Sequence, residues 1–125
     1  MTMEFTFDNE KIKAAGYTTE SIYEAMKSNF KSKGLRCVNE GEVLVFGEIG
    51  DNNDYGKMIG MMSLLTCQDW FLDIASTWIF RENGGYEDVL RQVKEKLAKG
   101  ELSWRKNLNK KRRKTWAERL SLHLL

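Results

Sequence analysis

Charge divides this chain into two unequal parts, and the division limits where a compact fold can form. Residues 102–125 hold eight basic groups against one acid, Glu118, for a net +7. Residues 1–101 hold twelve basic groups against seventeen acids, for a net −5. A segment so rich in like charge resists collapse into a core, so the packed unit is expected within residues 1–101 and residues 102–125 are read as a basic tail. With 42% hydrophobic residues over 125 positions, the chain has enough apolar material for one domain with a real core.

The first part alternates helix and strand signals. Met3, Phe5 and Phe7 alternate with polar neighbours, which suits a short edge strand or a lead-in. Asp8 is placed to cap a short helical turn that Gly16 ends. Residues 18–33 read as a helix with Ile22, Ala25, Met26 and Phe30 on one face, basic residues in its last turns and Gly34 as its stop. Residues 35–49 read as a β-hairpin turning at Asn39-Glu40-Gly41, and the unbroken Val43–Phe46 run suggests a strand covered on both faces.

Residues 55–66 lean towards helix, despite Gly56 and Gly60, because Met58, Ile59, Met62 and Leu65 share a face. Residues 69–81 read as a strand, with Trp70, Leu72, Ile74, Trp78 and Phe80 at period two. A helical reading competes there, since Thr66-x-x-Asp69 resembles a capping box. Residues 86–99 carry the clearest helical stripe, Tyr86, Val89, Leu90, Val93 and Leu97, closed by Gly100.

The expected fold class is therefore α+β. A small, mostly antiparallel sheet from residues 35–49 and 69–81 packs against helices 18–33 and 86–99. The expected core includes Ile22, Met26, Phe30, Val43, Val45, Leu72, Ile74, Trp78, Val89, Leu90, Val93 and Leu97.

Several functions lack the residues they need. The Asp51–Gly56 loop opens like a calcium loop but puts Tyr55 and Met62 where oxygen ligands belong. Gly47-Glu48-Ile49-Gly50 lacks the Gly-Lys-Ser/Thr of a phosphate loop, and its acidic surroundings repel phosphate. Cys37 and Cys67 stand 30 positions apart with no metal-ligand spacing. The single His123 lies in the tail, where no Ser-His-Asp or Cys-His pairing can be built around it. No cofactor and no metal are expected, and catalysis is not the expected activity.

Met1–Asp8 lacks the basic and apolar regions of a signal peptide, and no apolar run reaches the ~18 residues of a membrane span. A cytoplasmic protein with reduced thiols is expected.

The tail supplies the functional candidates. Arg105, Lys106, Lys110, Lys111, Arg112, Arg113 and Lys114 can neutralise phosphates, and Trp104 and Trp116 flank them with faces on which bases stack. Trp104, Leu108, Trp116, Leu120 and Leu124 recur at multiples of four, which suits a helix with one broad apolar side. Nucleic acid or a nucleoprotein complex is the expected partner. In an alternative reading the acidic body acts as an inhibitor or adaptor towards a basic protein, through Glu48, Asp51, Asp54 and Asp73.

In general character, the small size, the absence of proline and the Lys110–Lys114 cluster after a compact body resemble the small accessory proteins of bacterial phages and mobile elements, anti-CRISPR inhibitors among them. That resemblance implies binding to a nucleoprotein machine rather than catalysis, and it transfers no residue role.

Overall fold

A computed structural model describes residues 1–50 and 52–100. The elements run β1 (Thr2–Phe7), α1 (Asn9–Ala14), α2 (Thr19–Ser32), β2 (Arg36–Asn39), β3 (Leu44–Gly47), α3 (Asp54–Thr66), α4 (Asp69–Ile74), β4 (Ala75–Glu82), β5 (Gly85–Asp88) and α5 (Val89–Ala98). The five strands form one antiparallel sheet in the order β2-β3-β1-β4-β5. The α+β architecture expected from the sequence is the one observed.

Local chemistry explains most boundaries. Asp8 caps α1 by accepting the Glu10 and Lys11 amides, and Gly16 at φ +83 ends the turn. Thr18 and Ser21 exchange side-chain and backbone hydrogen bonds in a capping box at the start of α2. Asn83 and Gly84, both at positive φ, form the two-residue turn that the right-handed twist of β4 and β5 favours.

β1 sits at the centre of the sheet rather than at an edge. Thr2–Phe5 pairs with β3 on one side, and the whole strand pairs with β4 on the other. Its alternation is genuine: Met3 and Phe5 are fully buried, while Glu4 and Thr6 face the other way. The registers Phe5↔Leu44, Phe5↔Trp78, Met3↔Phe46 and Met3↔Phe80 carry these side chains onto a single face. Buried residues from all five helices join them in one cluster: Ile12, Phe30, Met61, Phe71 and Val93 represent α1 to α5 in turn.

The opposite face holds Glu4 paired with Arg81, the Thr6–Thr77 hydroxyl bond at 2.6 Å, and the half-buried Val45 and Ile79. Antiparallel sheets commonly divide in this way, with one face packed and one polar.

Further expectations are corrected. The Val43–Phe46 run is covered on one face only: Leu44 and Phe46 are fully buried, whereas Val43 is 37% exposed and Val45 is half-buried. Residues 69–81 are not one strand, because α4 occupies Asp69–Ile74 and β4 begins at Ala75. The N-cap of that helix is Gln68 rather than Thr66, whose hydroxyl donates to the Met62 carbonyl as α3 ends. Tyr86 belongs to β5 and is 68% exposed, and the last helix starts at Val89 with Asp88 as its cap. Leu97 is half-buried at the border of the core.

Candidate functional site

The candidate nucleic-acid contacts, Trp104, Arg105, Lys106, Lys110, Lys111, Arg112, Arg113, Lys114 and Trp116, lie outside the described residues, as does Asp51. The described residues do place three of the four acids in the alternative reading.

Glu48 follows β3, with its carboxylate 3.0 Å from the Met1 amine. Asp54 is 2% exposed and turns inward, accepting the Gly50 amide at 2.8 Å and the Ile49 amide at 3.4 Å. It therefore shapes the loop before α3. Asp73 is exposed on α4. Gly47, beside Glu48, pairs with Thr2, whereas Ala75, two positions after Asp73, pairs with Phe7. Glu48 and Asp73 thus flank opposite ends of β1, roughly 17 Å apart at the usual rise of a strand. They do not share an acidic face.

A polar cluster invisible to sequence spacing lies where α2 meets the β2–β3 turn. Tyr23 Oη donates to the Gly41 carbonyl at 2.6 Å. Lys27 Nζ lies 2.9 Å from Glu24 and 2.9 Å from Glu40. Hydrogen bonds first to Glu24 and then to Glu40 push the Lys27 ammonium up to about 12. Burial, with the charges of Glu40 and Glu42 added, raises the Tyr23 phenol. Burial also raises the Cys37 thiol, and Glu40 adds to the effect. A thiol shifted upward is a poor nucleophile near neutrality, and a lysine shifted upward is a poor base. The chemistry of this cluster is therefore that of a clasp holding the hairpin to α2. Only the Glu24–Lys27 spacing within α2 could have hinted at it; the Glu40 contact depends on the folded turn.

Among the described residues, grooves flank the body, and two lie beside α1. One, of about 520 Å³, runs past Thr6, Phe7, Thr19, Tyr23 and Glu42. Its hydroxyls are already bonded, Thr19 to Asn9 at 3.2 Å and Thr6 to Thr77 at 2.6 Å. The other, of about 500 Å³, lies between α1 and α4. Ala14, Ala15, Tyr17, Trp70 and Ile74 form its apolar lining, with Lys11 and Asp73 as its charged members. Sequence reasoning missed this second groove because it assigned Trp70 to a strand.

Among the described residues, no group of three or more His, Cys, Asp or Glu side chains is arranged to hold a metal ion. No helix among them is long and apolar enough to cross a membrane. Neither family models, nor curated proteins, nor solved structures yield a match to this chain.

Proposed function

We propose that this protein is a non-enzymatic binding or regulatory factor that engages nucleic acid, or a nucleoprotein complex, through residues 102–125. The observation that carries this reading is the segregation of charge: +7 in those residues against −5 in the rest of the chain. Such a division concentrates phosphate affinity in one segment, while the acidic body limits non-specific wrapping. Trp104 and Trp116 bracket Lys110–Lys114 and add stacking surfaces suited to unpaired bases.

Anisotropy titrations with single-stranded and duplex oligonucleotides over a range of salt test the reading. Affinity is expected to fall steeply with salt. Replacing Lys110, Lys111, Arg112, Arg113 and Lys114 with glutamine is expected to flatten the log–log slope by about 4, because fewer phosphates are neutralised and fewer counterions released. Binding that keeps its salt slope in that variant would refute the proposal.

The second reading, an inhibitor or adaptor engaging a basic protein, has to use Glu48 and Asp73 as separate contacts, given their positions at opposite ends of β1. Charge reversal at Glu48 separates the two. It leaves oligonucleotide affinity unchanged under the first reading and weakens the basic partner under the second.

A further inference from the structure

We infer that the groove between α1 and α4 is a seat for this chain's own residues 102–125, occupied by one of the two tryptophans there. The groove presents an apolar lining in which Tyr17 and Trp70 offer aromatic surface and Ala14 and Ala15 leave room beside them. Its volume of about 500 Å³ is ample for one bulky side chain and part of its flanking backbone. Asp73 is among its lining residues and is exposed. Lys11 is the one cation among the described lining residues.

The required occupant is therefore an aromatic or large apolar side chain next to positive charge. Residues 102–125 match that description twice. Trp104 is followed directly by Arg105 and Lys106, and Trp116 stands two positions after Lys114. These residues belong to the same chain as the groove, so tethering supplies a local concentration no free peptide would have. Seating a single tryptophan leaves the Lys110–Lys114 cluster directed to other partners. The docking thus goes beyond the nucleic-acid reading and does not depend on it.

Cross-linking in the full chain, without nucleic acid, is the test. In a Cys37→Ser background, Ala14→Cys is combined with Ser103→Cys or with Thr115→Cys, each tail position adjoining one tryptophan. Ser28→Cys, on an exposed position of α2, replaces Ala14→Cys as the control. An intramolecular disulfide is expected to form roughly tenfold faster from position 14 than from position 28 with at least one tail partner, beyond what tethering alone provides. Adding Asp73→Lys, at an exposed site in the lining, is expected to return that rate towards the control level.

Equal rates from positions 14 and 28 with both tail partners would overturn the inference. So would disulfides formed only between chains, which would assign the groove to a second copy. A chain that cross-links as expected but ignores oligonucleotides would refute the nucleic-acid reading alone.

Discussion

Phe30 lies flat against Phe46, with ring centroids 3.9 Å apart and planes 6° from parallel. This stack joins α2 to β3, and Phe5 meets both rings edge-on at 5.8 and 6.1 Å. All three side chains are fully buried. Phe46→Ala is expected to cost about 3–5 kcal/mol through lost burial and an unfilled cavity. A double-mutant cycle with Phe30→Ala is expected to show coupling of about 0.5–1.5 kcal/mol in urea denaturation, the range for aromatic pairs in contact.

Gly47 is held by steric need. A Cβ there would come within 2.7 Å of Val38 Cγ2 on the neighbouring strand, at the point where the β2–β3 register shifts. Gly47→Ala is expected to destabilise the fold by about 1–3 kcal/mol through overpacking. Adding Val38→Ala removes the opposing methyl and should recover most of that loss. Thermal melts of the two single variants and the double variant decide it.

Lys27 makes alkaline stability depend on the clasp. Its folded-state value of about 12 lies above the ~10.4 of an unfolded lysine. Its contribution is therefore complete below about pH 10 and is lost as the pH rises towards 12. The melting temperatures of the native chain and Lys27→Met should differ by a constant amount from pH 7 to about pH 10, then converge. The gap is expected to be small, because the pair faces solvent. Tyr23 titrates in both chains and so largely cancels from the comparison.

Cys37 should alkylate slowly for an exposed thiol. Its midpoint lies above the ordinary 9.0, because burial and the Glu40 charge disfavour the thiolate. A pH–rate profile with iodoacetamide is expected to show its midpoint above that value. Cys67 is buried and should stay unreactive until the protein unfolds.

These predictions rest on features that differ in how far the amino-acid pattern reveals them. α2 was legible, since its apolar face and its terminal glycine agree with the observed helix. β3 was legible as a strand but not in phase. Val43, Leu44, Val45 and Phe46 are all apolar, and only pairing with Met3 and Phe5 determines which two face inward. The α4–β4 junction was hidden by coincidence. Leu72 and Ile74 fit the period of a strand, yet they are also buried, together with Phe71, on a one-turn helix. The candidate tail contacts could be read from charge alone, whereas the α1–α4 groove required the folded positions of Tyr17 and Trp70.

The central position of β1 bears on how this molecule reaches its native state. Thr2 pairs with Arg81, so the middle of the sheet closes across nearly the whole described sequence. Hairpins β2–β3 and β4–β5 can zip early from local pairing, but neither gains its inner neighbour until a six-residue strand inserts between them. Distant pairings of this kind slow folding relative to helical bundles, whose contacts are mostly local. Until that insertion, β3 and β4 each present a row of unpaired backbone amides and carbonyls, and this is the interval in which misassembly threatens most.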